Sequence, residues 1–175
     1  MTRAIVPPPG VALTVPAARF CLKGRGAPAA LDAAGVGLPP RPNGWRRDAA
    51  GTWCLRLGSG EYLLAHDDDA GAIHTLQRRL STADAACHVL PRADRCIHLT
   101  GPQATDRLLR VCDIDDRLFV RQPDALALVM LADVSVTLHA VADGYRIWCD
   151  PTFASHLVEA FAAIDARSTS TRPAP

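Results

Sequence analysis

The residues of this sequence best suited to chemistry are its histidines and cysteines, six of each. A zinc site needs three or four convergent ligands, which usually come in closely spaced pairs. Cys87 lies beside His88, and His139 and Cys149 could meet across a hairpin, but neither pair has further ligands nearby in the sequence. We therefore expect packing or surface roles for the histidines, which are His66, His74, His88, His98, His139 and His156. A thiol-reactive or metal-binding role for Cys87–His88 is kept as a minor alternative.

Two acidic runs could in principle bind a cation. One is Asp67–Asp69, and the other comprises Asp113, Asp115 and Asp116. Calcium loops need spaced oxygen ligands and a glycine at a fixed position, and neither run has that pattern. We interpret the first run as the start of a helix and the second as capping a turn after a helix.

The remaining patterns do not predict catalysis. Gly24-Arg25-Gly26 lacks the spacing of a phosphate-binding loop, and Gly58-Ser59-Gly60 has no lysine or helix directly after it. Both are interpreted as turns. No serine lies on the sharp strand-to-helix turn that exposes a catalytic nucleophile. The sequence therefore predicts no catalytic, cofactor-binding or metal-binding residue.

The tryptophans indicate contacts rather than chemistry. Trp53 and Trp148 lie in alternating segments and are expected in or near the core of a sheet. Trp45 lies in an arginine-rich loop between Arg41 and Arg47, a composition typical of protein interfaces. We predict a partner interface at Trp45, Arg46 and Arg47, with the alternative that Trp45 folds back on its own domain.

Composition restricts the partners and the compartment. The sequence has 175 residues and a formal net charge of +1, so charge gives no case for nucleic acid or an anionic membrane. No apolar run approaches the ~20 residues that span a bilayer, and no signal-peptide pattern is apparent. Without a Cys-x-x-Cys pair, reduced and mostly buried thiols are expected in a cytoplasmic protein.

Helical and alternating patterns follow one another along the chain. A strand over Cys96–Thr100 is followed by Gly101 for a sharp turn and Pro102 for the first helical position. Asp150-Pro151 opens a last helix, whose apolar stripe is Phe153, Leu157, Val158, Phe161 and Ile164. Further helices are predicted over 28–34 and 69–80. Further strands are predicted over 18–23, 52–57 and 61–65. The apolar run 125–131 and the alternating segments after it are also predicted to form strands. Helices mixed with hairpins favour an α+β fold with antiparallel or mixed sheets and packed helices.

The ends of the chain differ in composition from its middle. Residues 1–16 are proline-rich and are expected to form a flexible N-terminal arm without regular structure. Residues 166–175 are expected to form a disordered tail. The folded domain is therefore predicted over 17–165.

Five segments of the chain form an ordered set: Arg19–Gly24, Trp53–Leu64, Asp94–Ala104, Cys112–Phe119 and Tyr145–Trp148 with Phe153 and a terminal helix. Taken in order, they resemble the gamma subunit of heterotetrameric, tetrahydrofolate-dependent sarcosine oxidase. Their order and spacing fit over about residues 17–165, and the glycine-proline turn is shared with the wider glycine-cleavage T protein superfamily.

This resemblance implies a fold, partners and a function. The fold would resemble the folate-binding domain of glycine-cleavage T protein, with split βαβ layering. The chain would be an accessory, non-catalytic subunit docked chiefly on alpha, beside beta and delta, in a complex that demethylates sarcosine to glycine. FAD, FMN, NAD and tetrahydrofolate would belong to the complex and not to this chain alone. No catalytic role is carried over, since Asp133 is interpreted as a turn residue.

Two other functions remain open at this point. One is a stand-alone folate-binding or one-carbon protein of the T protein superfamily. The other is the equivalent subunit of a related N-methyl amino acid oxidase or dehydrogenase.

Overall fold

The structure is a computed structural model that describes residues 6–82 and 86–170. Within that part of the chain, ten strands form two five-stranded sheets, and five α-helices accompany them. The strand pairs whose register is defined are antiparallel. The predicted α+β class is therefore confirmed. Split βαβ layering like that of the T protein stays a prediction.

The elements are named in chain order. The strands are β1 Val11–Thr14, β2 Ala18–Lys23, β3 Gly44–Arg47, β4 Trp53–Arg56, β5 Glu61–His66, β6 His88–Pro91, β7 Arg95–Thr100, β8 Ala127–Leu131, β9 Val134–Val141 and β10 Gly144–Cys149. The helices are α1 Ala27–Ala33, α2 Ala70–Ser81, α3 Ala104–Leu109, α4 Arg117–Arg121 and α5 Ala154–Ser170, the last preceded by a 3₁₀ turn at Pro151–Phe153. In the described residues no helix is long and apolar enough to cross a bilayer.

The first compact unit, here the terminal unit, comprises Met1–Thr14, Arg95–Pro123 and Leu128–Pro175. Its sheet has the order β1-β7-β10-β9-β8. Helices α3 and α5 pack against this sheet through Leu108, Leu157 and Phe161, none of which is exposed to solvent. Burying each such side chain stabilises the unit by about 1.5–3 kcal/mol.

Arg107 of α3 connects distant parts of the terminal unit. Its Nε and Nη2 donate to the two carboxylate oxygens of Asp165 in α5, at 2.9 and 2.8 Å. Its Nη1 donates to the carbonyl oxygen of Pro9 at 2.7 Å. Gly10 follows with a φ of 78°, and a Cβ there would lie 2.6 Å from the carbonyl oxygen of Thr100. These contacts fix the chain as it enters β1.

The second unit, here the central unit, comprises Val15–Asp94 and Asp124–Ala127. Its sheet has the order β3-β4-β5-β2-β6, and α2 packs on β2, β5 and β6. The core of this unit is a cluster of buried side chains that includes Phe20, Leu22, Leu31, Tyr62, Leu64 and Ile73. The predicted hairpin of β4 and β5 is confirmed, with Leu55 opposite Leu63.

Helix α2 begins where the sequence predicts. The Asp69 carboxylate accepts the backbone N–H of Ala72 at 2.9 Å, which satisfies one of the unpaired donors at a helix start. His66 holds the preceding turn. Its Nδ1 accepts the N–H groups of Asp68 and Asp69, so its Nε2 is assigned as the donor to the carbonyl of Ala50 at 2.8 Å. The first acidic run is therefore part of a helix start.

The structure corrects several local expectations. Residues 11–14 form a strand, with Val11 opposite Leu99, although regular structure was not expected before residue 17. Helix α5 continues to Ser170, beyond the predicted boundary at residue 165, and residues 1–5 and 171–175 lie outside the described part. The strand forms because β7 supplies its hydrogen bonds, a long-range pairing that local composition does not reveal. The division into arm, domain and tail stays a prediction.

Other corrections concern helix ends. Helix α4 was not predicted; Asp115, expected to cap a turn, accepts the N–H of Arg117 at its start. Pro102 does not occupy the first helical position, since Gln103 is the N-cap of α3. Phe153 lies in the 3₁₀ turn and is 47% exposed, so it does not belong to the buried stripe of α5.

Candidate interaction surface

The predicted interface residues lie on an edge strand and not in a loop. Trp45, Arg46 and Arg47 belong to β3, at one edge of the sheet in the central unit. Arg46 lies opposite Cys54 and Arg47 opposite Trp53 in β4. A loop was expected because the segment is rich in glycine, proline and arginine. Pairing with β4 decides its conformation instead.

A stack of aromatic rings and a guanidinium orders one face of this edge. The rings of Trp45 and Trp53 lie 5.4 Å apart between centroids, at an angle of 43°. The Arg47 guanidinium lies 4.8 Å from the centre of the Trp53 ring. The Trp53 indole N–H donates to the Asp67 carboxylate at 2.9 Å, which fixes the orientation of that ring. Trp45 thus packs on its own sheet, as the alternative interpretation proposed, yet it is only partly buried.

Part of the outer edge of β3 is already paired. Gly44 forms an antiparallel bridge with Ala125. The N–H of Trp45 donates to the carbonyl of Asp124 at 2.8 Å, and the N–H of Leu126 donates to the carbonyl of Asn43 at 2.7 Å. The Asp124 carboxylate also forms an ion pair with Arg41.

The two arginines at the end of β3 lie on opposite faces of the sheet. Neighbouring side chains alternate along a strand, so Arg47 shares the face of Trp45 while Arg46 points to the other face. A Cβ added to Gly37 would lie 2.9 Å from Arg46 Nε, so the Arg46 side chain lies along that backbone. Both arginines are exposed. We call Trp45, Arg46 and Arg47 the β3 surface.

Two buried groups near the β3 surface, the Cys54 thiol and the Tyr62 hydroxyl, have raised pKa values. Burial raises the pKa of the Cys54 thiol to about 12, with a further increase from Asp48 and opposing contributions from Arg56 and Arg46. Burial also raises the pKa of the Tyr62 hydroxyl, although Arg56 acts in the opposite direction. The exposed guanidiniums of Arg46 and Arg47 give the end of β3 positive charge. Arginine forks bind carboxylates in a bidentate geometry, so the surface is suited to acidic groups.

The other candidate residues have structural uses. His139 lies opposite Arg146 in the hairpin of β9 and β10, not opposite Cys149, and its Nε2 accepts the Trp148 indole N–H at 3.2 Å. The Asp150 carboxylate accepts the N–H of Thr152 before α5. Across residues 6–82 and 86–170, no group of three or more His, Cys, Asp or Glu side chains is placed to hold a metal ion.

Sequence reasoning missed the groups that support the β3 surface. Arg41, Asp124 and the bridge at Ala125 come from segments far apart in the chain. Only the neighbouring arginines and Trp45 were visible as a cluster in the sequence. The pairing of Arg41 with Asp124 has no local signal, because 83 residues separate them.

Comparison with known proteins places this fold in a family of enzyme subunits. No protein-family model matches the chain. Sarcosine oxidase subunit gamma from Corynebacterium sp. (strain U-96) is 31% identical over 132 residues, which cover 74% of this chain. The match spans 64% of the length of that relative.

A solved structure agrees with the sequence match. A chain of the heterotetrameric sarcosine oxidase from Corynebacterium sp. U-96, in complex with pyrrole 2-carboxylate, superposes with a TM-score of 0.69 and 30% identity. The superposition covers 94% of this chain and 87% of that one. The chain belongs to the sarcosine oxidase gamma subunit family.

Proposed function

We propose that this chain is the accessory gamma subunit of a sarcosine oxidase-type complex. The complex would demethylate sarcosine oxidatively to glycine and transfer the one-carbon unit to tetrahydrofolate. The observation that carries this proposal is the joint agreement of sequence and fold with a heterotetrameric sarcosine oxidase, at 30% identity over 94% of the chain.

The uses of the polar side chains support an accessory role. His66 has hydrogen bonds at both ring nitrogens and positions the start of α2. Arg107 joins Asp165 and Pro9, and His139 accepts the Trp148 indole N–H. These groups stabilise the fold, so we assign this chain the task of covering and steadying a partner.

The partners and cofactors follow from the same proposal. The chain would dock chiefly on the alpha subunit, in a complex that also contains beta and delta subunits. FAD, FMN, NAD and tetrahydrofolate would be bound by those other subunits, and the assembly would be cytoplasmic.

Co-expression tests the proposal directly. The chain is produced with the alpha, beta and delta subunits of the same organism, and the complex is recovered through a tag on alpha. We expect this chain to be retained in a fixed ratio, in a complex that forms hydrogen peroxide from sarcosine. Recovery of an active complex that excludes this chain would contradict the assignment.

The isolated chain provides a second test. We expect no turnover of sarcosine and no submicromolar binding of tetrahydrofolate by titration calorimetry. Tight folate binding by the chain alone would favour a stand-alone one-carbon protein instead.

Trp45 tests the proposed contact surface. Because the Trp45 ring is partly exposed, we expect Trp45→Ala to affect assembly more than folding. The yield of complex should fall markedly, whereas the melting temperature of the isolated chain should fall only slightly. The loss of the Trp45–Trp53 contact accounts for about 0.5–1.5 kcal/mol of folding stability. An unchanged yield of complex would remove Trp45 from the interface.

A further inference from the structure

Two arginines, Arg46 and Arg47, lie at the exposed end of β3. In the described part of the chain neither Arg46 nor Arg47 forms an ion pair with a carboxylate, whereas Arg41, nearer the start of the same edge, pairs with Asp124. Arg47 contacts the Trp53 ring and the carbonyl of Gly51, and both are neutral. The strand therefore presents two guanidiniums for which the described residues supply no carboxylate at ion-pair distance.

The backbone N–H groups of β3 face alternately towards β4 and away from it. Residues whose backbone groups point to the neighbouring strand alternate with residues whose groups point away from it. The N–H of Trp45 points outward, since it donates to Asp124. Two residues later, the N–H of Arg47 points to the same outer side. A segment beside Arg47 could therefore accept a backbone hydrogen bond from β3.

The chain itself shows which chemistry suits this edge. At the first half of β3, the short stretch from Asp124 to Leu126 supplies a carbonyl to Trp45, a carboxylate to Arg41 and an antiparallel bridge to Gly44. Backbone pairing and an acid–arginine pair thus occur together on the same short stretch. The second half of the edge, at Arg46 and Arg47, offers a backbone N–H and two guanidiniums to another chain.

We propose that the β3 surface binds an extended acidic segment of a partner subunit, which lies along Arg46 and Arg47 as an added strand. The two guanidiniums lie on opposite faces of the sheet, so two consecutive acidic residues of the segment match them, since neighbours on a strand alternate in direction. This inference rests on the proposed function, because the partner is another subunit of that complex.

Charge reversal tests the side-chain part of the inference. The other subunits are produced as a complex without this chain, and binding of the purified chain is measured by surface plasmon resonance. The Arg46→Glu/Arg47→Glu variant is expected to bind at least about tenfold more weakly at low salt, because its carboxylates would face those of the acidic segment and like charges across an interface repel each other. Arg46→Glu alone leaves the contact of Arg47 with Trp53 intact and should still bind more weakly than wild type.

Arg25→Glu is the matched control for this experiment. Arg25 is exposed, lies in the same unit away from β3, and undergoes the same change of charge. Its dissociation constant is expected to stay within about twofold of wild type, because surface changes away from a contact are nearly neutral. Added salt should weaken wild-type binding more than it weakens binding of the double variant.

Proline tests the backbone part. Arg47→Pro removes the outward N–H and the guanidinium, whereas Arg47→Ala removes the guanidinium alone. Proline is tolerated at a sheet edge where the N–H points away from the sheet. We expect the dissociation constant of Arg47→Pro to be at least about threefold higher than that of Arg47→Ala, which corresponds to one lost hydrogen bond. Equal binding by the two variants would overturn the added strand.

The outcomes separate this inference from the proposed function. If wild type joins the complex and Arg46→Glu/Arg47→Glu joins equally well, the acidic segment is refuted while the assignment as a gamma subunit stands. If wild type does not join the complex, the proposed function fails and this inference fails with it.

Discussion

Replacing Arg107 with alanine should loosen the N-terminal strand and destabilise the terminal unit. Arg107 is 9% exposed and donates two hydrogen bonds to Asp165 and one to the carbonyl of Pro9. Breaking a buried ion pair by removing one partner costs about 3–5 kcal/mol. The Asp165 side chain is 27% exposed, so water compensates part of this loss. We therefore expect a loss of about 3 kcal/mol in the free energy of unfolding.

The assay is urea unfolding at neutral pH, with Arg110→Ala as the matched control. Arg110 is in the same region of the chain, but its ion pair with Asp106 is 3.9 Å long and both side chains are more than half exposed. Removing such a pair is expected to change stability by less than about 0.5 kcal/mol. For a chain of this length, the loss in Arg107→Ala corresponds to a fall in melting temperature of about 6–12 °C.

Two results would refute the reasoning. One is a loss in Arg107→Ala no larger than the loss in Arg110→Ala. The other is unchanged hydrogen exchange of the β1 amides, since the Pro9 contact holds the chain that leads into this strand. A double-mutant cycle of Arg107 and Asp165 should give a coupling of about 1–3 kcal/mol.

The other predictions concern a glycine and the cysteines. Gly144→Ala should cost about 3 kcal/mol or more, because its Cβ would lie 1.9 Å from the carbonyl oxygen of Leu99 at a φ of 152°. Gly101→Ala, with a φ of 87° and no atom within 4 Å, should cost only ~1 kcal/mol in urea unfolding; equal costs would contradict the packing at Gly144. Burial raises the pKa of Cys54 from 9.0 to about 12, so the folded chain retains a proton that the unfolded chain releases above pH 9. The contribution of this thiol to the free energy of unfolding is therefore fully present below pH 9 and is lost as the pH rises towards 12. Between pH 7 and pH 10, the free energy of unfolding should fall by about 1 kcal/mol less in Cys54→Val than in wild type. A parallel fall in both chains would contradict this sign. Cys87, the cysteine that is not fully buried, should react first with a thiol reagent, and Cys87→Ser should abolish the fast phase seen at neutral pH.

Local patterns predicted the elements that carry their own signals. The β4–β5 hairpin has alternating apolar residues around a glycine turn, and α2 begins at an aspartate that caps it. The start of the C-terminal helical region at Asp150 was also predictable from its cap. Each of these features depends on residues within a few positions of one another, which is the range where periodicity and capping act.

Two short strands that form only through pairing were missed. The strands β1 and β3 are each four residues long and form because β7 and β4 supply hydrogen bonds. Four residues are too few for a periodic pattern, so composition favoured loops at both places. For the β3 surface, the cluster of Trp45 with two arginines was visible in the sequence. Its position on a sheet edge and the two faces of Arg46 and Arg47 needed the structure.

In the proposed function, this chain acts by joining a larger oxidase. Sedimentation of a fluorescently labelled chain, mixed with a complex of the other subunits made without it, tests this claim most directly. We predict that the label moves with the complex at a ratio of one chain per assembly, and that excess unlabelled chain displaces it. A label that sediments as the free chain at every concentration of the complex would contradict the account.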